Sequence, residues 1–118
     1  MTTPGIDIIR IGRIEKSLTK AGFKEKVFGS AEIAEQELRG NKPQGYAACF
    51  AAKEAFSKAV GSGISGFSHS DVQLLHKENG APYLSLSGNA KRENARFSVS
   101  ISHDGDYAVA IVIMECEA

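Results

Sequence analysis

From Phe50 to Val60 the chain is a strongly helical, alanine-rich run carrying charges that its neighbours do not explain, and this stretch limits how the rest can fold. Ala48, Ala51, Ala52, Ala55 and Ala59 form a stripe of small side chains, so the helix can approach another backbone closely. Beside the stripe, Glu54 and Lys58 stand at i and i+4 on one face, in the orientation of an ordinary surface ion pair. A close approach would instead leave Glu54 partly desolvated and in need of a cation, either Lys58 or a metal ion. The stretch alone leaves both readings open.

The limits of this helix are readable. Asn41-Lys42-Pro43 predicts its start, with Pro43 in the first turn, and Gly61-Ser62-Gly63 its end after Val60. The glycine pair is not a nucleotide-binding loop of the kind that precedes a helix. It follows one, so a phosphate here would face the negative end of the dipole and would depend on Lys58, a metal ion and loop amides. Otherwise the tripeptide is a helix stop.

Upstream, Gly5 to Ile11 reads as a strand with Ile6 and Ile8 on one face and Asp7, Ile9 and Ile11 on the other. An acid in phase with two isoleucines lies either at an exposed strand end or in a functional pocket. Gly12 to Ala21 predicts a short helix closed by Gly22, with Ile14 and Leu18 buried and Arg13, Lys16 and Lys20 pointing elsewhere, just after Arg10. That is a cationic ridge, either a solvated face or a surface for something acidic. Phe23 to Phe28 reads as a loop or turn, and Ser30 as the cap of a second helix that runs to Arg39, ends at Gly40 and carries no sign of chemistry.

Downstream, Val72–Lys77 and Tyr83–Leu86 flank a glycine-containing turn as antiparallel strands, and His69 and His76 read as surface residues without a task. Gly88 to Ala95 is a short helix or polar connection. Phe97 to His103 alternates without a break, His103 closing the apolar face before the Asp104-Gly105-Asp106 turn. Tyr107 to Met114 is apolar on both faces. A strand of that kind is covered twice, and in so small a domain a neighbouring subunit is expected to supply one cover.

With 118 residues, the chain is expected to form a single domain, residues 1–118, with a modest core. Zero net charge argues against a whole-molecule nucleic-acid or membrane binder. Cys49 and Cys116 have no metal-binding spacing and read as reduced thiols. No secretory leader or membrane span is evident, so a cytoplasmic location is expected.

Three separated signals stand in one order: Gly5-x-Asp7 with Arg13-Ile14 following, Phe50-x-x-Lys53-Glu54-Ala55-x-x-Lys58-Ala59-x-Gly61, and Ser100-Ile101-Ser102-His103, with Gly80-x-Pro82 between the last two. In order and spacing they resemble the holo-[acyl-carrier-protein] synthases, the short-chain type of 4'-phosphopantetheinyl transferase, over essentially the whole chain. The resemblance implies an α+β fold, an antiparallel sheet packed with helices, assembled as a homotrimer with active sites between subunits. It implies transfer of 4'-phosphopantetheine from coenzyme A to a serine of apo acyl carrier protein, with 3',5'-ADP leaving. Asp7 and Glu54 would hold Mg2+, whose hard-cation chemistry suits a few carboxylates and substrate phosphate, and Lys58 would contact the phosphate. By the resemblance Asp7, Glu54 and Lys58 would be the catalytic set, with the general base open between Glu54 and a water or hydroxide on the metal. Gly61, Ser62, Gly63 and Ile64 would line the coenzyme, with Pro82 and His103 supplied by the adjacent subunit. Arg13, Lys16 and Lys20 match a basic helix that docks the acidic carrier protein.

The chain departs from that pattern in places. Cys49 stands where family members often carry an arginine, so a role of that arginine at the 3'-phosphate would pass to Arg92 or Arg96. Arg10 replaces a common acid and Gly12 a small polar helix start. A function of a different class, a non-catalytic coenzyme A or carrier-protein binding module, would keep the fold and lose turnover.

Overall fold

In the computed structural model, which describes residues 1–61 and 66–117, the central helix is the longest element and the others are arranged on it. Strand β1 (Thr2–Arg10) leads into α1 (Ile11–Leu18), α2 (Phe23–Val27), α3 (Ser30–Leu38) and the central α4 (Pro43–Val60). A hairpin, β2 (Val72–His76) and β3 (Pro82–Leu86), follows, and then the long pair β4 (Ala95–Asp104) and β5 (Tyr107–Cys116). All strand pairings are antiparallel: β1-β5-β4 form a three-stranded sheet and β2-β3 a separate two-stranded one. This is the expected α+β architecture.

Close approach by the alanine stripe is what joins helix to sheet. Ala51, Ala52 and Ala55 are fully buried, and Ala108, Ala110 and Val112 of β5 are fully buried on the sheet's inner face. A Cβ on Gly5 of β1 would overlap the Ala55 carbonyl and lie 2.6 Å from the Ala59 nitrogen, so only glycine lets β1 lie this close to α4. The Thr3 hydroxyl donates to the Ala59 carbonyl at 2.9 Å and closes the same seam. Phe56 extends the core sideways, its ring 4.9 Å from Phe97 and 5.4 Å from Phe67 between centroids.

A second joint is ionic. Lys53 and Glu32 are both fully buried, with Nζ 2.6 Å from Oε1. The lysine also donates to the Val72 carbonyl at 2.5 Å, and the Glu32 carboxylate accepts from the backbone N–H groups of Gly29 (3.2 Å) and Leu74 (2.8 Å). One pair thereby ties α3, α4 and β2 together with its polar atoms satisfied, the condition under which a buried ion pair is tolerated.

Several local expectations are corrected. The first helix ends at Leu18, and Gly22, in the left-handed region at φ 82°, starts a new helix where a loop was expected, because Phe28 is fixed against Tyr46 with ring centroids 5.0 Å apart. The cap of α3 is Gly29, not Ser30, since the reach-back comes from the Glu32 side chain. Ile11 belongs to α1. The limits of α4 fall where the sequence places them, with Pro43 first and Gly61 as a left-handed cap at φ 83°. No helix among the described residues is long and apolar enough to cross a membrane.

Among the described residues no element covers the outer face of the three-stranded sheet. Ile6 is 58% and Ile8 62% exposed, and their register partners Ile111 and Val109 are half-buried on that face.

Candidate functional site

Asp7 lies on the inner face of β1, in phase with buried Ile9, and β1 is an edge strand, so the carboxylate meets α4 at a rim open to solvent. Its side chain is 18% exposed. Lys58, one turn from the end of α4, donates to the Ile6 carbonyl at 2.9 Å and lies 3.3 Å from Asp7 Oδ1. The ion pair that forms is therefore with the strand acid, not with Glu54 on the lysine's own helix.

Glu54 is one turn earlier on α4 and partly buried. Burial raises its carboxyl above the ordinary value, the Asp7 charge raises it further, and Lys58 and Arg13 pull it down. Two carboxylates close enough to repel, at an open edge with a lysine beside them, form a donor set that suits a hard divalent cation. No group of three or more His, Cys, Asp or Glu side chains gathers for a metal among the described residues. The two acids would leave positions for water or substrate oxygens.

The opposite side of Glu54 is closed by a residue with no role assigned from sequence. His69 stacks on Phe50, centroids 5.6 Å apart at 18°, and its Nε2 is 3.8 Å from Glu54 Oε2. Burial lowers the His69 pKa, as do the Lys53 and Lys26 charges. A second histidine also departs from its expected idle place, as His76 contacts Glu35 and Arg39. The apolar phase of Asp7 was a readable signal, whereas no local pattern announces His69 or His76.

Arg13, Lys16 and Lys20 are exposed on and just after α1, and Arg13 is near enough to Glu54 to act on its ionisation. Arg10 turns away from that ridge, its guanidinium 5.0 Å from the centroid of the Tyr107 ring. Gly61 caps α4, while Ser62, Gly63 and Ile64 lie outside the described residues.

Pro82 and His103 come together elsewhere. They share a cleft of about 340 Å³ with Arg39, Lys42, His76 and Ile101, whereas Asp7 and Lys58 border a depression with Ile6, Ile8 and Val109. The two groups of residues thus line separate depressions of the chain. Cys49 is buried, its thiol pushed up mainly by burial and accepting from Gln36 Nε2 at 3.7 Å, so it does not stand in the cleft as a substitute for a cation. Arg92 packs over Phe67 and donates to the Asn89 and Lys91 carbonyls, and Arg96 reaches toward Glu115.

Comparison with known proteins agrees with the fold. Residues 3–112 match the model of the 4'-phosphopantetheinyl transferase superfamily. A holo-[acyl-carrier-protein] synthase of Fusobacterium nucleatum is 42% identical over 116 residues, covering 93% of this chain and 95% of that protein. Among solved structures, a holo-(acyl-carrier-protein) synthase of Bacillus anthracis in complex with CoA (3',5'-ADP) superposes with a TM-score of 0.82 at 38% identity, covering 98% of this chain and 96% of that one. The Helicobacter pylori holo-[acyl-carrier-protein] synthase in complex with coenzyme A gives a TM-score of 0.84 at 36% identity, covering 95% and 99%. A strand acid beside a helical Glu-x-x-x-Lys, in a frame shared end to end with these proteins, places the chain in the 4'-phosphopantetheinyl transferase superfamily, among the holo-[acyl-carrier-protein] synthases.

Proposed function

We propose that this protein transfers 4'-phosphopantetheine from coenzyme A to a serine of apo acyl carrier protein, releasing 3',5'-ADP. The observation that carries the reading is the meeting of Asp7 and Lys58 beside Glu54, in a frame shared with proteins named for this activity. Coenzyme complexes of two structural relatives support the donor.

Asp7 and Glu54 are the residues to hold Mg2+, because their mutual repulsion is what a divalent cation relieves. Bound there, the ion would supply Lewis-acid stabilisation of charge on phosphate oxygens. Lys58 is anchored by the Ile6 carbonyl at the rim and half exposed, placed to donate to a non-bridging oxygen of the phosphate that bears pantetheine. The carrier serine oxygen bonds to that phosphorus, the bond to the 3',5'-ADP oxygen breaks, and the hydroxyl proton is lost to a base. The exposed Arg13, Lys16 and Lys20 would orient the acidic carrier protein, speeding encounter more than tightening the complex.

Pro82 and His103 of one subunit would complete the site of another in a homotrimer. Support comes from their separation from Asp7 and Lys58 within the chain, and from the apolar face around Ile6 and Ile8 that would otherwise meet water. The two free thiols support a cytoplasmic protein. The test is product release: 3',5'-ADP should form only when coenzyme A and apo carrier protein are both present. Release without carrier protein, or none with several carrier proteins, would overturn the reading.

A further inference from the structure

The lysines of α4 that flank Glu54 are both engaged elsewhere. Lys53 donates to Glu32 and to the Val72 carbonyl, and Lys58 to the Ile6 carbonyl and Asp7. Among the described residues the one basic side chain at ion-pair distance from the Glu54 carboxylate is His69, its Nε2 3.8 Å from Oε2. Both side chains are about two-thirds shielded from water, at 29% and 31% exposure, so a hydrogen bond between them would be worth more than one on the open surface.

The imidazole is held from two directions. Its ring lies nearly parallel to that of Phe50, with 18° between the planes, and Phe50 stands one turn before Glu54 on the same face of α4. Its backbone opens a one-turn 3-10 helix (His69–Asp71) that the Asp71 side chain closes. Asp71 Oδ2 accepts from the Ser68 N–H at 3.1 Å and Oδ1 from the Ser87 hydroxyl at 3.4 Å, while the Asp71 carbonyl accepts from the Ser87 N–H at 2.9 Å. A ring stacked on an aromatic and carried on a pinned turn keeps its edge on Glu54. The gap that remains to a hydrogen bond, roughly 1 Å, is within the swing of a glutamate side chain.

We propose that His69 is a positioning residue for the metal site: its Nε2–H donates to Glu54 Oε2 and leaves the other carboxylate oxygen for the cation shared with Asp7. This rests on the assignment of Asp7 and Glu54 to Mg2+ made above. An unrestrained glutamate can close both oxygens on one ion or swing into solvent. A donor fixed on Oε2 prevents both, and substrate oxygens and water keep the remaining positions. The neutral ring with its proton on Nε2 and the charged ring both supply that donor, so the role needs no change of charge.

Mn2+ is the probe, its binding to the protein with coenzyme A read from loss of the free-ion electron paramagnetic resonance signal and corrected with coenzyme A alone. His69→Phe keeps a ring on Phe50 and loses the donor, whereas His69→Gln places an amide N–H near the position of Nε2. The Phe variant should bind Mn2+ about tenfold to a hundredfold more weakly, the usual cost of losing a partner of a metal ligand, and the Gln variant should lie between it and the wild type. The magnesium concentration that half-saturates transfer should rise in the same order. Circular dichroism melting of each variant establishes that it is folded. A Phe variant that binds Mn2+ as the wild type does, or a Gln variant as weak as the Phe variant, would overturn the inference while the metal assignment stood. A wild type that takes up no Mn2+ beyond the coenzyme control would remove the metal assignment and this inference with it. A wild type that binds Mn2+ and transfers nothing would remove the transferase reading, with the order of the variants in Mn2+ binding still deciding the role of His69.

Discussion

Lys58 Nζ reaches across from the last turn of α4 to lie 3.3 Å from Asp7 Oδ1 on β1, bypassing the glutamate on its own helix. The lysine is 56% exposed, so the pair adds little to stability, and its value is placement of an ammonium group at the rim of the site.

Lys58→Ala should therefore separate activity from folding. The variant should melt within about 0.5 kcal/mol of the wild type, while kcat for transfer falls about 100-fold or more, the usual cost of removing a donor to transition-state charge. Steady-state kinetics and denaturant titration on one preparation check both halves.

Glu54→Gln has opposite effects on stability and function. The folded-state pKa of Glu54 is raised by burial and by Asp7, so the fold disfavours the ionised form. That cost is absent below the ordinary carboxylate range, grows as pH rises toward the raised value and is complete above it. The metal-free variant should melt higher than the wild type at neutral pH, lose that advantage in acid, and abolish transfer. Magnesium should raise the melting temperature of the wild type and not of the variant. A metal-free variant that melts lower at neutral pH would contradict the electrostatic account.

Removing one member of the buried pair, by Glu32→Ala or Lys53→Ala, should cost about 3–5 kcal/mol, since each leaves its partner charged and dry. Replacing both with apolar residues of similar volume should recover much of that loss. Urea denaturation of the two single variants and the double variant forms the cycle, and additive losses would contradict a coupled pair.

The parts legible in the sequence were those in which one strong local signal agrees with packing. Pro43 and Gly61 delimit α4, and the alternation of Phe97 to His103 with the continuous apolar run of Tyr107 to Met114 fixes the long strand pair. The hairpin followed from the glycine turn between Val72 and Leu86. What escaped was set by partners distant in sequence. The five-residue helix from Phe23 depends on Phe28 packing against Tyr46. Glu32 reads as one more acid on an exposed helix until its lysine, in α4, and its amide donors, one of them in β2, are brought to it. His69 and His76 acquire neighbours only through the placement of the hairpin against α3 and α4. Within the site, Asp7 was announced by its apolar phase, but its pairing with Lys58 needed the tight β1–α4 contact at Gly5.

The central claim is tested most directly by the intact mass of apo acyl carrier protein after incubation with this protein and coenzyme A, with magnesium or with EDTA. The account predicts a gain of one phosphopantetheine with magnesium and none with EDTA. Equal gain in EDTA would contradict the Asp7 and Glu54 metal site, and no gain with any carrier protein, while coenzyme A still binds, would contradict the transferase itself.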